Sequence, residues 1–304
     1  MMTKNDNFKG SLEMTASMVI AGTVGYFVVM SKQDPQMVVF WRCFLGAMFM
    51  AIVCFTKGLH KTIRFDKRLL TYLGIGGIAL AFNWLFLFKA YSLSSISIAT
   101  IVYHVEPFIL IAFGFLFFGE KIGLNKVLWL VLAFIGAVLI ITGKQSKDTL
   151  NANSNYIVGV LFALLAAFCY AVCAAITKKL KDTPPHIIVA FQLFIGALVL
   201  FPLAPVDAWS EIPLVSWLLL ATIGFVHTGL MCLFLYSAIQ KIPTALIGAI
   251  SFIYPVVAVI VDWLAFDNTL NTIQIFGSLA ILVAAAGTTL NWSIKGIVLR
   301  FGVE

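Results

Sequence analysis

Two proline-interrupted apolar runs hold the residues best placed to do chemistry. Glu106-Pro107 lies inside the run from about residue 94 to 118, and Tyr254-Pro255 occupies the same place in a second run, 148 positions later. Proline has no N–H to donate, so Pro107 and Pro255 deprive the carbonyls of Tyr103 and Ser251 of their helical partners, and inside a bilayer a freed carbonyl needs another. Glu106 adds a carboxyl group about twelve residues into its run, about 18 Å along a helix axis. A charge at that depth costs roughly 2.5–3.5 kcal/mol, and such groups generally face the bundle interior and mark ion or substrate paths. A carboxyl there can take up a proton when it stands alone and release it to pair with a cation or an ammonium group. The plainer alternative is a protonated glutamic acid bonded to a neighbouring helix.

Helical geometry selects its companions. At about 100° per residue, Tyr103 is some 60° round from Glu106 and Thr100 a further 60°, so the three can line one cavity. His104 is about 160° away and is expected to face elsewhere unless Pro107 distorts the turn. Arg42, about 10 Å into its own run by the helical rise, reaches either inward toward Glu106 or outward to headgroups by snorkelling. Binding a substrate carboxylate and fixing helix orientation are equally open roles for it. Trp84 could hold a cation by its ring face, with Asn83 fixing orientation, although aromatic residues also populate interfacial belts. In the second half, Gln192, His227, Ser251 and Tyr254 are polar counterparts near mid-span, although a lone histidine such as His227 is more often a satisfied interior group. The sequence has no HExxH, no intramembrane GxSxG, no carboxylate pair on one helix face and no Cys/His metal pattern, so an enzyme, a cofactor or a metal is not expected. The five cysteines all lie in apolar runs, where packing is their expected role.

Membrane helices must position these residues. Of 304 residues, 62% are hydrophobic and 11% charged, against roughly half and a quarter in soluble domains. Runs of about 20 apolar residues, enough to cross roughly 30 Å of hydrocarbon, recur near 11–31, 36–56, 69–89, 94–118, 124–142, 156–177, 186–204, 214–236, 244–266 and 272–292. The expected fold is therefore an all-α integral membrane protein of ten transmembrane helices. The first run is preceded by Lys4 and Lys9 but lacks a clear cleavage site, so it reads as a helix and not a signal peptide. The longest connections are about a dozen residues, which leaves no room for a soluble catalytic domain. The net charge of +7 is distributed by side: fifteen lysines and arginines fall in loops of one side and only Lys32, Lys144 and Lys147 in loops of the other. That asymmetry speaks against nucleic acid as the partner and places both termini in the cytoplasm of a protein of the inner (plasma) membrane.

The two halves repeat. LFLFKAYSLSSISIATIVYHVEPF aligns without a gap on LFLYSAIQKIPTALIGAISFIYPV at the offset of 148, matching Pro107 to Pro255, and Pro35 and Gly46 match Pro185 and Gly196 at an offset of 150. Residues 1–145 form the first five-helix repeat, 146–155 a linker and 156–304 the second. Five spans per copy is an odd number, so the second must be inverted, and a five-plus-five inverted repeat can open a shared cavity to either side in turn.

The stretch VVFWRCFLGA after Asp34-Pro35, the segment LFKAYSLSSISIATIVYHVEPFILIAFGFLFFGEKI and its second copy FLYSAIQKIPTALIGAISFIYPVVAVIVDWLAF resemble the drug/metabolite transporter superfamily, in its ten-helix, EamA-like branch. The likeness covers essentially the whole chain. It implies an inner-membrane carrier of small organic metabolites, often an exporter of amino acids or related compounds. The family's GE pair is present as Gly119-Glu120 in the first copy but is replaced by Asp267-Asn268 in the second; Glu120 is expected to stabilise the start of the fifth helix. The resulting expectation is a multi-pass secondary transporter of small amphipathic metabolites such as amino acids, an exporter working by alternating access, with protons as a coupling partner that Glu106 allows. The partners are thus a small molecule and the bilayer, and the protein a monomer or homodimer. Import or exchange of a choline-like or sulfonium cation is the alternative, and a non-transporting scaffold the rival from another class.

Overall fold

Proline and glycine punctuate the apolar helices. The computed structural model describes residues 4–61, 63, 65–93, 99, 102–121, 123–143, 154–204, 209, 210, 212–266, 272–290 and 292. Among them there is no strand. The helices are α1 (Lys4–Ser31), α2 (Pro35–Thr56), α3 (Lys67–Leu93), α4 (Glu106–Phe118), α5 (Leu124–Gly143), α6 (Ser154–Lys179), α7 (Pro185–Leu200), α8 (Leu214–Gly224), α9 (Met231–Lys241), α10 (Thr244–Ser251), α11 (Ile253–Phe266) and α12 (Thr272–Thr289). A π-helical segment, Phe225–Leu230, joins α8 to α9 without a break in direction. Pro35 and Pro185 open α2 and α7 from the first turn, where a missing N–H costs nothing.

Among the described residues seven helical spans are long and apolar enough to cross a bilayer, two of them, Leu214–Lys241 and Thr244–Ala265, running through successive segments, and three more, Glu106–Phe118, Leu124–Leu139 and Thr272–Thr288, are apolar but shorter. The expected fourth span is the instructive difference. Its helical pattern is interrupted by a turn at His104 and Val105 and resumes at Glu106, and that of the second half is interrupted at Phe252 and resumes at Ile253. Pro107 therefore sits in the first turn of a new helix, where proline is tolerated, and does not kink a continuous one. Residues 94–98, 100 and 101 lie outside the described residues, as do most of the 146–155 linker and Asp267-Asn268.

Packing crosses between the halves. α3 lies on α6 and α7, and α4 on α6 and α10; α1 lies on α8, α9 and α11; α2 pairs with α7, and α5 with α12. Gly136 permits that last approach, since a Cβ there would come within 2.6 Å of the Gly277 carbonyl oxygen. Gly287 serves the same pair of helices, since a Cβ there would meet the Trp129 ring at 2.5 Å.

One end of the bundle is tied by ions. Gly119 ends α4 in the left-handed conformation, φ 61°, which only glycine adopts without strain. The turn carries Glu120 to Lys178 at 2.8 Å and to the backbone N–H and hydroxyl of Thr244 at 2.9 and 2.6 Å, while Lys178 also donates to the Ile242 carbonyl at 2.8 Å. Glu120 thus caps the start of α10 in the second half. The expectation that it serves the start of the fifth helix is corrected: the left-handed glycine aims the carboxylate across the bundle. At the same end Lys241 pairs with Glu13 at 2.5 Å, joining α9 to α1.

Candidate functional site

The breaks before Glu106 and Ile253 lie beside a cavity of about 220 Å³ lined by helices of both halves. Glu106 lines it from the first position of α4, where the helix dipole leaves partial positive charge. It is only 8% exposed, and among the described residues its Oε2 has no hydrogen-bond partner. A buried carboxyl oxygen left unpaired is costly, and the cost falls when a ligand or a proton supplies the missing bond.

Arg42 lines the same cavity and does not snorkel outward. Its Nε donates to Thr228 Oγ1 at 3.1 Å, its Nη2 to the His227 carbonyl at 3.5 Å, and its guanidinium lies over the Trp84 ring at 4.6 Å. The π-helical segment supplies both oxygen acceptors, because its wider turn shifts the ladder so that Thr228 Oγ1 also donates back to the Ile223 carbonyl at 2.9 Å. α2 reaches this segment closely: a Cβ on Gly224 would meet Leu45 Cβ at 2.5 Å. Of the roles left open for Arg42, helix orientation is visible in these bonds, and its place in the cavity wall keeps the other open.

Aromatic and amide side chains share the cavity wall with these two residues. Asn83, 1% exposed, donates from Nδ2 to the Tyr103 hydroxyl at 3.1 Å and to the Ala166 carbonyl at 2.8 Å. This bridge ties α3 to α6 and holds the Tyr103 ring, which faces Tyr170 edge-on at 6.4 Å. Tyr254 and Ser251 line the cavity from the second half, and Ser251 donates to the Gly248 carbonyl at 2.8 Å, inside its own helix.

Of the residues singled out from sequence, Glu106, Tyr103, Trp84, Asn83, Arg42, Ser251 and Tyr254 thus meet at one cavity. Gln192 does not line it; it stands behind, fully buried, accepting from the Tyr236 hydroxyl at 2.5 Å and from Cys173 Sγ at 3.3 Å. Thr100 lies outside the described residues. The expectation that His104 faces away is corrected. The turn at 104–105 removes the helical phase on which it rested, and His104 lines the cavity with its ring stacked on Tyr254 at 6.2 Å. Tyr170 and Tyr236 were not predicted as lining, whereas His227, one of the expected mid-span polar groups, does line the cavity. His227 shares a 2.9 Å hydrogen bond with Thr23 of α1.

The chain matches the model of the EamA-like transporter family over residues 8–142 and again over 157–290. It is 28% identical to an uncharacterised transporter of Bacillus subtilis, YxxF, over 94% of this chain and 93% of that one. It is 26% identical to the pseudopaline exporter CntI of Pseudomonas aeruginosa, over 81% and 83%. The threonine/homoserine exporter RhtA of Salmonella typhimurium is 25% identical over 54% of each chain. A solved crystal structure superposes with a TM-score of 0.79, covering 93% of this chain and 98% of its own, at 17% identity, a likeness of fold alone.

Proposed function

The chain belongs to the EamA-like transporter family and is a membrane transporter, and from that premise we propose that it exports small zwitterionic metabolites of the amino-acid type across the inner membrane. The observation that carries this reading is the pairing of Glu106, with an unpartnered buried oxygen, and Arg42 in the wall of one cavity. A substrate ammonium binds at Glu106 and its carboxylate at Arg42, and the aromatic wall holds what lies between. The cavity is smaller than the roughly 300–1,000 Å³ of drug-sized sites, in keeping with a small metabolite. Glu106 exchanges its proton for the ammonium group, which couples export to proton entry. Arg42 in the wall counts against the alternative of a choline-like or sulfonium cation, which such a charge repels.

The cavity moves by alternating access between two inverted five-helix repeats. Three observations support this. The family model matches once in each half. The helix breaks fall in register, at 104–105 and at 252. The packing is reciprocal, since the first helix of each half rests on later helices of the other, and second meets second and last meets last. The three shorter apolar helices complete ten crossings, with both termini on the cytoplasmic side as the charge asymmetry requires. The ions of Glu120 and Lys178 then close the cytoplasmic end.

The test is uptake of labelled amino acids, nucleosides and quaternary amines by proteoliposomes, with and without a pH gradient, for the native chain and Glu106→Gln. Gradient-dependent transport of amino acids, lost in the variant, is expected. Equal transport by both would reject the role of Glu106, and transport of quaternary amines alone would reject the zwitterion.

A further inference from the structure

On the outer surface of the bundle, away from the central cavity, a groove of about 670 Å³ runs along α4 and α6 with Tyr72 of α3 at its head. Its floor is aromatic. Phe113 packs edge-on against Phe117 at 5.4 Å and Phe168 at 5.9 Å, and both of these partners are exposed. Acyl chains cover any such surface in a bilayer, so the floor alone identifies no particular ligand.

The head of the groove is different. Lys178, Lys179 and Lys181 line it, and no carboxylate is among its lining residues. Lys178 is held by Glu120, but the other two lie beyond that pair. Lys179 stands over the Tyr72 ring at 5.0 Å, and Arg68 approaches the same ring at 5.9 Å. A polar pocket of about 410 Å³ adjoins the groove, shares Tyr72 and Lys179 with it and adds Arg68, Asp66 and Asp182. Asp66 accepts the backbone N–H of Leu69 at 2.7 Å, as a cap of α3. Arg68, Lys179 and Lys181 therefore face Asp182 as the acid not engaged in a cap, an excess of positive charge beside an apolar trough.

We propose that this groove binds an anionic phospholipid, with its phosphate among Lys179, Lys181 and Arg68 and its acyl chains along Phe113, Phe117 and Phe168. The dimensions agree with the chemistry. Phe168 and Lys179 are on one helix, eleven residues or about 16 Å apart by the helical rise, so the cations stand at headgroup level when the aromatic floor lies in hydrocarbon. Basic pockets between helices at a membrane surface recognise phosphate headgroups in this way. The ligand also has a structural consequence, because Lys178 faces the Phe118 ring at 5.8 Å in the groove wall and holds Glu120. A lipid seated there braces the tie between α4, α6 and α10.

The experiment is native mass spectrometry of the delipidated full chain in detergent, titrated with phosphatidylglycerol or phosphatidylcholine, with soluble glycerol phosphate as competitor. The variant is Lys179→Gln/Lys181→Gln, and Lys9→Gln/Lys126→Gln removes the same charge elsewhere. Each lysine near the surface is worth about fivefold, so the first pair is expected to weaken phosphatidylglycerol binding on the order of twentyfold and leave phosphatidylcholine unchanged. Equal retention of the two lipids, an equal loss in the control pair, or displacement of phosphatidylglycerol by glycerol phosphate at matching concentration would each overturn the proposal.

Discussion

Replacing Glu120 by glutamine should destabilise the protein by about 3–4 kcal/mol. The carboxylate receives Lys178 Nζ at 2.8 Å and two donors of Thr244. Lys178 is 8% exposed, and without Glu120 it keeps, among the described residues, the Ile242 carbonyl and the face of the Phe118 ring. Breaking a buried pair from one side costs roughly 3–5 kcal/mol. We take the lower part of that range because Glu120 is 19% exposed and glutamine still accepts from Thr244. At roughly 2–4 °C per kcal/mol, the apparent Tm in detergent should fall by about 6–16 °C, read by tryptophan fluorescence during heating. The double variant Glu120→Gln/Lys178→Met removes the stranded charge and should recover at least half of the loss. The pH dependence has a definite sign. Burial alone would raise the Glu120 carboxyl, but Lys178 and Thr244 more than offset it and hold it below its ordinary value. Its contribution is therefore fully present above the unfolded value, about 4.3, and is lost as the pH falls through the lower folded value. Native protein should lose this increment on acidification below about pH 4, and Glu120→Gln should not. A Tm change under about 1 °C in the single variant, or a double variant as unstable as the single, would refute the reasoning.

Two further outcomes follow from the geometry. Arg42→Lys keeps the charge but loses the planar stacking on Trp84 and one of the directed bonds to Thr228 and the His227 carbonyl. KM for the transported substrate should rise about 5- to 30-fold, for a loss of roughly 1–2 kcal/mol; an unchanged KM would remove Arg42 from the binding site. Gly136→Ala forces a methyl group to 2.6 Å from the Gly277 carbonyl oxygen, so α5 and α12 must separate. It should cost about 1–3 kcal/mol in thermal denaturation with little change in KM, and a neutral result would show that this packing is loose.

The site was legible where local chemistry singles out a residue. A carboxyl beside proline in an apolar run is conspicuous in any sequence, and Glu106 indeed lines the central cavity. His104 was misjudged because a phase of 100° per residue applies only while the helix lasts, and it ends at His104 itself. Tyr170 and Tyr236 carry no such signal: a tyrosine among apolar residues looks alike whether it faces lipid, core or cavity, and only the contact of α6 and α9 with their neighbours decides. Gln192 was legible as a polar group in mid-span but not as a support behind Tyr236, which depends on a partner 44 residues away. Glu120 was recognised as structural, yet its partners Lys178 and Thr244 belong to the other half of the chain and cannot be read from its neighbours.

The reciprocal packing also sets a timetable for biosynthesis. Ser17 in α1 donates to the Met231 carbonyl, 214 residues later, and Glu13 meets Lys241 across 228. At the ribosome's pace of roughly 5–20 residues per second, α1 waits about 10–45 s for its partners to be made. During that interval its polar side chains, Ser17 and Glu13 among them, have no companion from their own chain on α9. Insertion machinery or lipid headgroups must shelter them until the last third of the polypeptide arrives, so a truncated chain that stops before α9 would present the cell's quality control with an unmatched first helix and not with a stable half.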